Sequence, residues 1–164
     1  MGAIVVATDG SAAAGAALDT AIELALEGGD RICAITVWRA LQGDFGLAYP
    51  PAAVLDDILT AEREHAEQTL RDAAERAHSA GVEVETKLAA GDPPEQICRY
   101  ADEVGARMIA IGSHGHGALV SLLVGSVSSA VISRSTIPVL VVRDRDHEPE
   151  LHHAGQPHGP APAR

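Results

Sequence analysis

Residues 112–128 read Gly-Ser-His-Gly-His-Gly-Ala-Leu-Val-Ser-Leu-Leu-Val-Gly-Ser-Val-Ser. Gly112, Gly115, Gly117 and Gly125 allow a backbone to approach a ligand closely and to adopt positive φ, which turns amide hydrogens toward phosphate oxygens. Ser126 and Ser128 add hydroxyl donors. A helical pattern begins near Ser126, so the amino-terminal dipole of a helix would favour an anion at the same place. Taken singly, each residue is as well explained by a tight turn or a helix cap; together, at this spacing, they favour phosphate binding. Two better-known phosphate motifs do not fit. The sole lysine is Lys87, so no Gly-Lys-Ser/Thr of a Walker loop exists, and no Gly-x-Gly-x-x-Gly follows the first strand.

Asp9 closes the first apolar run and is followed by Gly10 and Ser11. It reads either as a turn residue ahead of a Ser11 cap or as a ligand contact facing the glycine-rich segment. His114 and His116 invite a metal reading, but no neighbouring Cys, Asp or Glu completes a tetrahedral set, and His152, His153 and His158 lie in a polar tail. Cys33 and Cys98 are far apart, form no Cys-x-x-Cys pair and sit in apolar stretches; both are expected buried and reduced.

The elements that must position these residues follow from periodicity. Apolar runs at 3–8, 31–37, 82–89, 108–111 and 139–142 predict strands, and apolar stripes at helical spacing predict helices over 12–26, 54–80, 93–104 and 127–135. Asp92-Pro93-Pro94-Glu95 combines an N-cap, a proline at the first helical position and an acid in the first turn. Residues 82–89 alternate apolar and charged side chains, as an edge strand does, and residues 39–52 predict an irregular loop. Strands alternating with helices imply an α/β fold: one domain over residues 1–143, built on a five-stranded parallel sheet with helices on both faces. The half-Rossmann strand order 3-2-1-4-5 is expected. Ligands of such sheets bind where the strand order reverses, here at the carboxyl ends of the first and fourth strands. Residues 144–164 carry almost no apolar material and are expected to be a disordered tail.

Composition narrows the function classes. The net charge is −11 and only 2% of residues are aromatic, so neither a phosphate backbone nor a stack of bases finds a suitable surface. Nucleic acid and anionic membranes are excluded as partners. With no leader pattern and no apolar run of spanning length, a cytoplasmic protein is expected.

The spacing Gly112-x2-Gly115-x9-Gly125-Ser126 resembles the ATP-binding signature of universal stress proteins. Asp9-Gly10-Ser11, Gly91-Asp92-Pro93 and Pro-Val-Leu-Val-Val-Arg at 138–143 add to the likeness, which spans residues 3–143. The resemblance implies a Rossmann-like fold of the adenine nucleotide alpha hydrolase kind, with ATP and Mg²⁺ in the crevice. It implies that Asp9 contacts ribose or the nucleotide-bound metal, that Val37 meets adenine through its backbone, and that Ala7, Thr8 and Ile111 flank the base. Gly112, Ser113, His114, Gly115, Gly125, Ser126, Val127 and Ser128 would surround the ribose and phosphates. His116 stands where many members carry Arg or Lys, which weakens charge assistance at neutral pH. The resemblance further implies a homodimer through the strand at 139–142, an independent reason to cover an apolar edge, and a regulatory stress-response role through an unidentified protein partner. Two alternatives stay open. A slow ATPase or phosphotransferase would use the same site but finds no lysine or arginine in the loop to stabilise charge; a dimeric scaffold without nucleotide would not need the intact glycine spacing.

Overall fold

The computed structural model describes residues 2–38, 51–113 and 124–144, apart from the side chains of Ala52 and Ala53. Its elements run β1 (Ala3–Ala7), α1 (Ala12–Gly28), β2 (Arg31–Trp38), α2 (Ala52–Ser79), β3 (Val84–Ala90), α3 (Pro93–Glu103), β4 (Met108–Gly112), α4 (Ser126–Arg134) and β5 (Val139–Val142). The strands form one parallel sheet in the order β3-β2-β1-β4-β5. That is the expected half-Rossmann order, with β3 at one edge and β5 at the other.

Period-two alternation along β1, β2 and β4 divides the core between the two faces. On one face Val5, Cys33, Ile35, Ile109 and Ile111 pack against Ile97, Tyr100 and Ala101 of α3 and Val131 of α4. On the other, Ile4, Val6, Ile32, Ala34 and Ala110 pack against Leu18, Ala21 and Ile22 of α1 and Leu70, Ala73 and Ala77 of α2. The alanines facing the sheet let the α1 backbone lie close to it, which matters at the crevice below.

Several boundaries move, each for a local reason. Gly29, at φ 66°, ends α1 with its amide donating to Ala25, so the helix runs past Leu26 to Gly28. The α2 to β3 connection is tied by Val82 donating its amide to Ala77, which buries Val82 before the strand begins at Val84. Helix α4 starts at Ser126 rather than Val127, with Gly125 as its N-cap. Cys33 is buried as expected, whereas Cys98 is only half-buried because its side of α3 lies at the margin of the core next to α4. The irregular loop expected at 39–52 falls outside the described residues up to position 50, and Ala52 already opens α2. The tail expected from 144 onward lies, except for Asp144, outside them as well.

At the amino ends of the strands one carboxylate ties three connections together. Asp30, just ahead of β2, accepts the Gly2 amide at 2.9 Å and pairs with Arg107 at 2.6 Å. A side chain at Gly2 or Gly28 would collide with that carboxylate, at 2.5 Å and 2.8 Å. The clasp is structural and sits at the opposite end of the sheet from the expected site.

Candidate functional site

The chain moves outward from β1 to β2 and β3, then crosses back to β4 and β5, so the carboxyl ends of β1 and β4 bound the crevice where the order reverses. Ala7 and Ile111 sit side by side in register beneath it, both buried. Thr8 extends the ladder by donating its amide to Ile35 at 3.0 Å, and its carbonyl accepts the Thr36 hydroxyl at 2.9 Å. Ile35 thus turns its backbone polar groups toward β1. Two residues on, Val37 turns its own amide and carbonyl the same way, past the end of β1 and over the crevice.

Beyond Thr8 the chain closes one helix terminus and leaves another open. The Asp9 carboxylate accepts the Ser11 amide at 3.0 Å, Gly10 takes a left-handed turn at φ 81°, and the Ser11 hydroxyl accepts the Ala14 amide at 3.3 Å. The amino terminus of α1 is therefore capped by its own sequence, the arrangement that makes serine a favoured cap. At α4 the N-cap is Gly125, and among the described residues no side chain caps the helix. The first amides of any helix lack intrahelical acceptors. Those of α4, at Ser126, Val127 and Ser128, stand at the mouth of the crevice with Ser126 exposed.

Hydrogen bonds anchor this terminus to the sheet. Ser113 accepts the Gly125 amide at 2.7 Å and donates its own amide to Val142 at 2.7 Å. The Ser128 hydroxyl, buried, donates to the Gly112 carbonyl at 2.8 Å. Gly112 in turn lies directly on α1: a β-carbon there would sit 2.7 Å from the backbone carbon of Ala13 and 2.8 Å from the amide nitrogen of Ala14. Glycine at 112 is required by this close approach, independently of any ligand.

Of the residues singled out from sequence, the fold thus brings Ala7, Thr8, Asp9, Val37, Ile111, Gly112, Ser113, Gly125, Ser126, Val127 and Ser128 to one end of the sheet. They play different parts there: Ala7 and Ile111 form a buried floor, Asp9 and Ser126 are exposed, and Gly112, Ser113 and Ser128 are buried. His114, Gly115, Gly117 and His116 lie outside the described residues. Sequence reasoning missed Val142, whose carbonyl holds Ser113. A valine in an apolar strand carries no signal for such a role, because the contact uses only its backbone. Among the described residues no group of three or more His, Cys, Asp and Glu side chains could hold a metal ion.

Away from the crevice, Cys33 and Tyr100 share the core beneath α3. Burial pushes the Cys33 thiol above its ordinary value and the Tyr100 hydroxyl further above its own. The Tyr100 hydroxyl donates to Glu85 at 3.3 Å, and Lys87 lies 5.8 Å above its ring. Both groups are protonated structural members of the core at neutral pH.

At the switch point of the open α/β sheet, α1 capped by Ser11 and an α4 terminus that no described side chain caps flank the carboxyl ends of β1 and β4. The sequence over residues 1–143 matches the family model described as the universal stress protein family. The chain belongs to the universal stress protein family. This universal stress protein is 35% identical over 144 residues to universal stress protein YxiE of Bacillus subtilis, an alignment covering 85% of this chain and 97% of that one. A universal stress protein solved in complex with cAMP shares 30% identity at a TM-score of 0.64, over 86% of this chain and 96% of the other. The universal stress protein from Archaeoglobus fulgidus in complex with dAMP shares 28% identity at a TM-score of 0.60, over 87% and 97%. No helix among the described residues is long and apolar enough to cross a membrane.

Proposed function

We propose that this universal stress protein binds an adenine nucleotide as a regulatory ligand, ATP with Mg²⁺, across the carboxyl ends of β1 and β4. The observation that carries the reading is the contrast between the helix termini at the crevice. The amino terminus of α1 is satisfied by Ser11, while among the described residues no side chain caps the amino terminus of α4. Phosphate belongs at Ser126, Val127 and Ser128; the base belongs over Ala7 and Ile111, with the outward-turned backbone of Val37 supplying the adenine contact. Asp9 is placed for ribose, or for Mg²⁺ carried in by the phosphates. The binding of adenine nucleotides by relatives of 28–30% identity supports the choice of base.

The nucleotide serves as a signal rather than as fuel. The loop sequence at 112–128 holds no lysine or arginine, the residues on which charge stabilisation in phosphoryl transfer usually depends. A cytoplasmic homodimer joined through β5 presents the occupied or empty crevice to a regulatory protein partner.

Titration calorimetry with ATP and Mg²⁺, alongside AMP, tests the reading. Saturable one-site binding, accompanied by a change in the fluorescence of Trp38, the only tryptophan, is the expected result. Absence of binding by a folded protein refutes it, and multiple-turnover release of ADP would replace the signal role with an enzymatic one.

A further inference from the structure

We infer that Ser128 is a positioning residue: its hydroxyl locks the first turn of α4 onto the end of β4, presetting the α4 amides for an anion, and does not itself touch the ligand. The inference rests on the reading of the crevice as a nucleotide site and reassigns one of its residues.

A serine hydroxyl has a single proton to donate. That of Ser128 goes to the Gly112 carbonyl at 2.8 Å, within a residue only 3% exposed. What remains on the oxygen is acceptor capacity, which a phosphate oxygen repels. A buried carbonyl at the end of a strand needs a donor, and Ser128 supplies it. Gly112 cannot yield to a moving helix, because α1 backbone atoms at Ala13 and Ala14 stand immediately behind it. The second tie, from the Gly125 amide to the Ser113 carbonyl at 2.7 Å, holds the other end of the same turn.

The first turn of α4 is therefore fixed at positions 125 and 128 to consecutive carbonyls of the strand end, with the Ser126 and Val127 amides of the helix head held between these two ties. Donors held in place before binding lose little freedom when the anion arrives, and this is the source of affinity in a site without a cationic side chain in its loop. Gly125 shares this part: its amide is already committed to Ser113, which leaves it as an anchor.

The test compares Ser128→Ala with Ser128→Thr, which keeps a hydroxyl, and reads two quantities. In the ligand-free protein, amide hydrogen exchange at Gly125 should accelerate about tenfold in Ser128→Ala, the loss expected from one hydrogen bond, and return toward normal in Ser128→Thr. Affinity for ATP with Mg²⁺ should fall by about the same factor and recover likewise. If affinity falls while ligand-free exchange is unchanged, the hydroxyl is a direct ligand and the inference is overturned. If neither quantity moves, the clamp is idle and the inference is equally lost. Should the wild type bind no nucleotide, the proposed function fails, yet exchange at Gly125 still decides whether the clamp exists. If Ser128→Ala does not fold, Ser128→Cys, similar in size and a weaker donor, provides the same comparison.

Discussion

The carbonyl oxygen of Ser113 accepts the amide hydrogen of Gly125 at 2.7 Å, so the two ends of the segment at 114–124 stand side by side at the end of β4. Ser113 also donates to Val142, the last residue of the edge strand β5, at 2.7 Å. One residue thus joins the glycine-rich segment, the amino terminus of α4 and the edge of the sheet.

If the amides of α4 hold phosphate, a fixed negative charge at their head should occupy the phosphate's place. Ser126→Asp puts a carboxylate at the first position of the helix, which the helix dipole favours by about 0.3–1 kcal/mol. Thermal stability should hold or rise, whereas repulsion of about 1–4 kcal/mol between the carboxylate and a nearby phosphate weakens nucleotide binding. Calorimetry paired with a melting curve checks both halves; unimpaired binding would move the phosphate elsewhere.

Gly112 has backbone neighbours that cannot rotate away from an added methyl. Gly112→Ala should destabilise the fold by about 1–3 kcal/mol, as overpacking does. The same change pushes α1 and β4 apart at the crevice and so lowers nucleotide affinity. A denaturant midpoint equal to that of the wild type would contradict the close packing seen here.

The proposed homodimer can be tested without disturbing the core. Ile109 donates its amide to Pro138, and Ser113 donates to Val142. By the alternation of a strand, Val139 and Val141 then turn their amides to the open edge. Val139 and Val141 pack their side chains against the α3 side of the core, so a charged substitution there would damage the fold as well as the interface. Val141→Pro instead removes an outward amide that takes no part in pairing with β4, a place where edge strands accept proline. Mass measured in solution should fall from dimer to monomer with the fold retained; an unchanged mass would refute pairing through β5.

Alkaline pH should weaken the fold through the buried pair beneath α3. Burial raises the Cys33 thiol above 9.0 and the Tyr100 hydroxyl above 10.0, their ordinary values. The unfolded chain loses these protons first, so stability is complete below about pH 9 and declines as pH rises through the folded values, at about 1.4 kcal/mol per pH unit for each titrating group. Urea midpoints measured from pH 8 upward should show the decline, and Tyr100→Phe should make it shallower. An equally steep decline in that variant would assign the loss to other groups.

Much of this protein was legible along the chain. Ser11 and Asp92 cap α1 and α3 as their types and spacing predict, because a cap needs only partners within three residues. The strand order followed from alternating elements and right-handed crossovers, and the crevice followed from that order. The likeness of residues 112–126 to a nucleotide signature named the family correctly. Less legible were Cys98, whose apolar surroundings in sequence turn out to border the margin of the core, and the start of α4 at Ser126, where a backbone contact from Ser113 sets the boundary.

The sequence by itself determined which segments are strands and helices, which termini carry their own caps, and where the run of glycines and serines that marks the family lies. These depend on periodicity and on neighbours a few residues apart. Only the tertiary structure decided which donors are already committed. The Ser128 hydroxyl and the Gly125 amide are held by Gly112 and Ser113, Gly112 is pressed against α1, and Val142 reaches Ser113 through its backbone. Those partners are distant in sequence and partly backbone, so no residue type announces them; a hydroxyl that looks like a ligand donor in the chain becomes a strut once the strand end arrives beside it.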